Sequence, residues 1–361
     1  MAESSTLQSH EISLAPETVA RFCVQPHFQD TVPDAFGYSG ALGEFTLDTK
    51  VQLNRGKALV DVWRNMSVLQ QAGAKCGVDF KQVATTSNRK LYVTELAGGT
   101  RMCPREIMVG DLHDLSEEQF IAWAIEYFKK AMGVDITANS YFGDINRSEP
   151  EGLDQMNFSL FDGVFKKING YYTGSNDALR PTKVNVGGAS DTLTPADAYN
   201  LLVEMVAKQS YVMKTLGVME KGFYVNYNLG NLVQEYLTST GVGSNIGYLL
   251  AQGKMLIGNN GMPVMSIKNI PVYINPKLDQ MMGQILGTGY TGYSAILQPN
   301  KNFLYGMDET YSDPNKNRNT AFEAWYERKD QSWYTRAYVT GGTEILSPQN
   351  IVYSITDGII L

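Results

Sequence analysis

The sequence is poor in the residues that most catalytic and metal chemistry needs. Its 361 residues include three cysteines (Cys23, Cys76, Cys103) and three histidines (His10, His27, His113), scattered along the chain. An odd, dispersed set of cysteines excludes a full disulfide framework and fits a reducing compartment. A structural zinc site takes about four ligands at close pairwise spacing, which these residues do not supply. No metal and no cofactor are expected. Long apolar runs are missing too: none approaches the roughly 18 residues that a bilayer span requires. The opening stretch, MAESSTLQSHEISLAPETVARF, lacks the basic start and apolar block of a secretory signal, so the expected location is the cytosol where the chain is made. Positive charge is in deficit, with 30 Lys and Arg against 37 Asp and Glu and a formal net charge of −7. That balance argues against the broad basic footprint of a protein that grips nucleic acid. Repeats, low-complexity tracts and flexible linkers are absent as well. What remains is 43% hydrophobic and 19% charged, the composition of an ordered globular chain. The length suffices for two compact domains with extensions.

Charge is unevenly distributed along the chain. From Lys75 to Arg105, six basic residues (Lys75, Lys81, Arg89, Lys90, Arg101, Arg105) stand against Asp79 and Glu95, a net of +4. From Glu106 to Asp162, twelve acids outnumber Lys129, Lys130 and Arg147, a net of −9. One interpretation is a pair of ordinary solvated faces. The other is that the basic segment lies across the acidic segment of a neighbouring copy and orients head-to-tail assembly. Lys81, Arg89 and Lys90 would then meet residues such as Glu117 and Glu118.

Local patterns give these segments shape. Val78 to Val83 and Lys90 to Leu96 read as extended arms joined by a polar turn at Thr85, Thr86, Ser87 and Asn88. An isolated two-stranded hairpin is at best marginally stable in water, so it needs something to lie on. Ser116, with Gln119 three residues on, predicts a capped helix start. The helix carries Phe120, Ile121, Ala124, Tyr127, Phe128 and Ala131 on one stripe and runs past Gly133 towards Phe142. About 25 residues of helix would be roughly 38 Å long. Thr194, Pro195 and Asp197 signal a second helix, with Leu201, Leu202, Met205, Val206, Tyr211 and Met213 as its apolar face. Leu229 to Leu237 predicts a third, and Met255–Ile257, Pro263–Ile267 and Val272–Ile274 predict strands. Helices flanking a mixed sheet define an α+β fold.

The C-terminal third is strand-rich, with IKNIPVYINPKLD (267–279), YSAILQPNKNFLYGMD (293–308) and AFEAWYERKDQSWYTRAYVTGGTEILSPQNIVYSI (321–355) broken by Pro, Gly and Asn turns. It holds no His, Cys or carboxylate cluster suited to catalysis. Gly287, Gly289 and Gly292 spell G-x-G-x-x-G, but the extended segment that follows is not the helix a dinucleotide fingerprint needs. Asp313, Asn315 and Asn317 imitate a calcium loop, yet Arg318 and Ala324 stand where glycine and the bidentate glutamate belong. Around Trp325, Tyr326, Trp333, Tyr334 and Tyr338 acids are interleaved with bases, so sheet packing by Trp325 and Trp333 is favoured over base stacking. Glu117 and Glu118 are adjacent on a helix and do not face each other as an acid/base dyad.

The order of these parts resembles the Hong Kong 97 fold of tailed-phage major capsid proteins and encapsulin shells. The resemblance runs from about Phe36 to Ile355. It is carried by GMPVMSIKNIPVYI (261–274), LQPNKNFLYGMD (297–308) and the strand pair around Trp325 and Trp333. It implies an N-terminal arm (1–40), an extended two-stranded loop (70–105), a peripheral domain with a long spine helix (41–69, 106–182 and 311–361), and an axial domain of helices on a mixed sheet (183–310). The implied function is a non-enzymatic subunit of an icosahedral virion capsid that encloses double-stranded DNA. Its implied partners are its own copies in hexamers and pentamers, a separate scaffolding protein, a portal and decoration proteins. The alternatives are an encapsulin-like compartment subunit and an α+β ligand-binding enzyme using the glycine-rich loop 287–292.

Overall fold

The computed structural model describes residues 45–53, 55–62, 84–102, 117–148, 156–185, 192–240, 265–287, 291–308, 323–327 and 332–359. The chain begins with strand β1 (Phe45–Asp48), whose Phe45 ring packs edge-on against Tyr141 at 5.3 Å. Strands β2 (Lys57–Val62) and β3 (Ala84–Leu91) then pair antiparallel as a two-stranded ribbon. The expected hairpin therefore exists with other arms. Thr85, Thr86, Ser87 and Asn88, read as a turn, lie within β3, because β2 supplies them with a partner that local sequence did not reveal. The expected arm at 78–83 lies outside the described residues. The second expected arm, Lys90 to Leu96, is broken at Tyr92–Val93, where β3 ends and β4 (Thr94–Met102) begins.

Helix α1 (Glu117–Phe142) is 26 residues long, close to the expected length, but of the expected stripe Tyr127 and Ala131 are exposed while Phe128 is buried. It packs Phe128, Met132 and Ile136 against a sheet in which β12 (Ser332–Ile345) is the central strand. Nine residues of β4, Thr94 to Met102, pair with one edge of β12. The strands β10 (Phe303–Gly306) and β11 (Glu323–Glu327) also pair with it, and β1 adds to β10 in parallel. Gly98 on β4 is where helix and sheet meet most closely: a Cβ there would sit 3.2 Å from Phe128 and from Met132. Helix α2 (Val164–Thr173) continues this layer, with Phe165 stacked on Phe142 at 4.9 Å.

A second sheet has six strands in the order β5 (Thr182–Lys183), β13 (Val352–Ile355), β9 (Ser294–Pro299), β6 (Lys221–Asn226), β8 (Ile270–Asn275) and β7 (Met265–Ile267). It is buried on both faces. Along β9, Ala295 and Leu297 enter one core with helices α3 (Pro195–Ala207) and α5 (Tyr227–Ser239), while Ile296 enters the core shared with α1 and α2. All six residues of β6 are buried. Between β7 and β8, Lys268 and Asn269 both adopt positive φ, as a two-residue turn matched to strand twist requires. The two sheets exchange strands: β10 lies with β12, and β13 lies between β5 and β9.

The start of α3 follows its signal. Thr194 Oγ1 accepts from Asp197 N at 3.2 Å, Asp197 answers at the Thr194 N–H, and Pro195 opens the first turn. The apolar face ends sooner than expected. Leu201, Leu202 and Met205 are buried, but Tyr211 is 77% exposed and belongs with Met213 to a separate short helix, α4 (Tyr211–Thr215). Helix α5 is capped from elsewhere: Asp279 on α6 (Lys277–Leu286) accepts from Tyr227 N at 2.6 Å and Asn228 N at 3.1 Å. Burial nevertheless raises the Asp279 pKa, with those bonds opposing the rise. The expected strand at 255–257 lies outside the described residues.

Candidate assembly surface

The ribbon β2–β3 stands apart from the two larger sheets. Its own apolar cluster is Val51, Leu59, Leu91 and Val93, with Leu53 and Leu304 at the edge. Between the paired positions Ala58↔Lys90 and Val60↔Thr86, Leu59 alone stands opposite Ser87, Asn88 and Arg89. An irregularity of this kind bends a strand and re-aims a side chain. Here the re-aimed side chain is Arg89. Its guanidinium donates to the carbonyl oxygens of Ile345 at 2.8 Å and Leu346 at 3.0 Å, at the end of β12. It also lies 5.9 Å from the centre of the Tyr171 ring. Tyr171 donates its hydroxyl to Glu344 Oε1 at 2.9 Å, and Lys167 donates to Glu344 Oε2 at 3.0 Å. Burial, and then the Glu344 carboxylate, push the Tyr171 pKa up to about 12. One cluster from β3, α2 and β12 thus seats the root of the ribbon.

The backbone beneath is equally close. A Cβ on Gly342 would meet the carbonyl oxygen of Tyr92 at 2.0 Å, so β12 must carry glycine where the β3–β4 link crosses it. The Gly341–Gly342 pair within a strand was the sequence signal for this crossing. Tyr171, Glu344 and Lys167 carried no such signal, since each looks like an ordinary half-exposed residue until the elements meet.

The predicted contact residues are dispersed. Arg89 is engaged within its own subunit, Lys90 is exposed beside it, and Lys81 lies outside the described residues. Glu117 and Glu118 occupy the first turn of α1. Further along that helix Glu126 and Lys130 form an ion pair at 2.7 Å, which holds the Glu126 carboxyl below its usual range. Tyr127, 63% exposed, stacks on Trp123 at 5.6 Å. Burial raises the pKa of Asp135 to about 6, against an opposing bond from the Asn157 N–H. In the β11–β12 register Trp325 stands opposite Tyr334, and Trp333 opposite Tyr326, so neither tryptophan faces the other.

Chemistry is sparse in the described residues. No group of three or more His, Cys, Asp or Glu among them could hold a metal ion. No described helix is long and apolar enough to cross a membrane. Lys221 is buried with two neutral partners, Gln209 Oε1 at 3.1 Å and the Met213 carbonyl at 2.7 Å, and burial lowers its pKa. The glycine-rich loop is preceded by helix α6 and followed by strand β9, with Gly287 at positive φ just past the helix. A phosphate-cradling loop needs the reverse order, a strand before and a helix N-terminus after. This order agrees with the expectation from sequence, which sets the dinucleotide fingerprint aside because an extended segment follows it. The calcium-like stretch from Asp313 to Asn317 lies outside the described residues.

No family model and no curated protein matches the chain. Solved structures do. A chain of the satellite phage P4 procapsid, in a structure that includes the size determination (Sid) protein, superposes with a TM-score of 0.56. It has 9% identity, and the match covers 90% of this chain and 98% of that one. A chain of Gordonia phage Cozz superposes at 0.50 with 13% identity, covering 89% and 85%. The architecture is the phage capsid fold: a long helix on a sheet, a two-stranded ribbon, and helices on a second, mixed sheet. The Hong Kong 97-like α+β fold expected from the sequence is the fold observed.

Proposed function

We propose that this protein is the major capsid protein of a tailed phage, a structural subunit that self-assembles into an icosahedral shell around double-stranded DNA. The observation that carries the proposal is that the match to the P4 procapsid chain spans nearly the whole of both chains, so it is the complete architecture that agrees. The ribbon supports it, because a two-stranded ribbon gains stability by lying on a neighbour. The charge contrast supplies a direction for that contact, basic residues near the ribbon against the acidic segment that contains α1. The function rests on interfaces and not on a catalytic pocket. The shell forms from hexamers and pentamers with a separate scaffolding protein and a portal, decoration proteins bind outside, and subunits are made in the host cytoplasm. The division expected from sequence, an arm at 1–40, a loop at 70–105, and peripheral and axial parts, is carried into this proposal with two changes: β2 joins the loop and β4 joins the peripheral sheet.

Electron microscopy of the protein, expressed alone and together with the reading frames flanking its gene, tests this. Closed shells or hexamer and pentamer rosettes are expected, and a monodisperse monomer or dimer under every condition would overturn the proposal. Shells filled with a host enzyme would move the chain to the compartment class. Reversing the charge of Lys81 and Lys90 should lower shell yield while leaving the subunit folded.

A further inference from the structure

We infer that Arg89 is a latch that fixes the angle of the β2–β3 ribbon to the rest of the subunit, making it a positioning residue for shell geometry. The shell part of this inference rests on the proposed function; the latch itself rests on the subunit alone. At its β3 end the ribbon joins the body through Tyr92 and Val93, which run over Gly342 of β12, and at its β2 end Lys57 pairs with Asp48 of β1. A two-residue link fixes position without fixing direction. Direction needs attachments beyond the link: Lys57 on β2 is tied to Asp48 of β1, and Arg89 on β3 adds the tie to the end of β12. The register irregularity opposite Leu59 turns its side chain to the end of β12, where one planar guanidinium spans two successive carbonyls, Ile345 at 2.8 Å and Leu346 at 3.0 Å. Those acceptors are themselves held. Glu344, the preceding residue, is buried and bonded to Lys167 and Tyr171 on α2, and the Tyr171 ring lies under the guanidinium. Lysine cannot reproduce this, because an ammonium is a point donor that neither forks across two carbonyls nor stacks flat on a ring.

The consequence is that the ribbon of an unassembled subunit is already aimed, so the angle at which it meets a neighbour, and hence shell curvature, is set before assembly. Hydrogen exchange on the unassembled full-length protein, with electron microscopy of shells from the same variants, tests this. In Arg89→Gln, amides of residues 84–91 are expected to exchange about tenfold faster, as loss of charged bonds to two backbone carbonyls implies. Exchange in 136–142 and 221–226 should be unchanged, and shells should vary more in diameter. Arg89→Lys should fall between, and it stands in if Arg89→Gln fails to fold. Unchanged ribbon exchange in both variants would overturn the latch. Faster exchange with shells of wild-type diameter would overturn the role in geometry. If the wild-type protein forms no shells at all, the proposed function fails, and the exchange result still decides the latch.

Discussion

The six-stranded sheet and the β2–β3 ribbon are both antiparallel or mixed β-structure in one chain, and they are held in opposite ways. In the sheet, β6 lies between β8 and β9 with every residue buried, its Phe223 and Val225 in one core and its Tyr224 stacked on Tyr273 at 5.2 Å on the other face. In the ribbon, Leu59 and Leu91 are buried in a cluster with Val51 and Val93, and the attachments to the body include the Arg89 bonds to the end of β12, the Lys57–Asp48 ion pair and the crossing at Gly342. A sheet buried on both faces stabilises itself. The ribbon's stability is lent by what it touches.

The largest test of that contrast is Phe223→Ala. Phe223 is fully buried at the centre of the sheet, so removing its ring should cost about 3–5 kcal/mol and lower the urea midpoint of the entire subunit. Leu59→Ala should behave differently. Its loss, roughly 2–3 kcal/mol at the site, should speed amide exchange in 57–62 and 84–91 and leave the global midpoint nearly unchanged. An equal shift of the midpoint by both variants would show that ribbon and sheet unfold as one unit.

The smallest expected effect concerns pH. Asp135 on α1 titrates near 6 in the folded chain because burial disfavours its charged form, above its ordinary value of 3.8. A raised carboxyl pKa means that the folded state takes up the proton first, so the charged Asp135 destabilises the folded state above pH 6 and that penalty vanishes as pH falls towards 4. Asp135→Asn should therefore be more stable than wild type at pH 7, by on the order of 2 kcal/mol, and the gap should close near pH 4. Urea titrations at both pH values measure it. Ribbon exchange should not follow this change, since Asp135 belongs to the body; a parallel change would couple the two regions.

Much of the body was legible in sequence. The apolar spacing of α1 marked a helix of the right length, although Tyr127 and Ala131 of its stripe are exposed, and Thr194 with Asp197 caps α3 from within four residues. Signals of this kind are local, so they survive in isolation. The ribbon was misplaced because Thr85 to Asn88 look like a turn until β2, more than twenty residues earlier, is laid beside them. Tyr211 was placed in a core because apolar periodicity does not show where α3 stops. Arg89 was assigned to a neighbour on charge alone, and its carbonyl acceptors 256 and 257 residues away carry no charge to betray them.

The sequence by itself determined the class of the protein: ordered, α+β, poor in catalytic and metal-binding residues, with a long helix and a strand-rich end in the order of a phage capsid subunit. These properties depend on composition and on contacts between near neighbours in the chain. The tertiary structure decided which strands share a sheet, that β10 and β13 trade places between the two sheets, and that Asp279 caps a helix from fifty residues away. It also decided that Arg89 works within its own subunit. Each of these depends on backbone groups or side chains brought together across the fold, and a backbone carbonyl has no letter in the sequence.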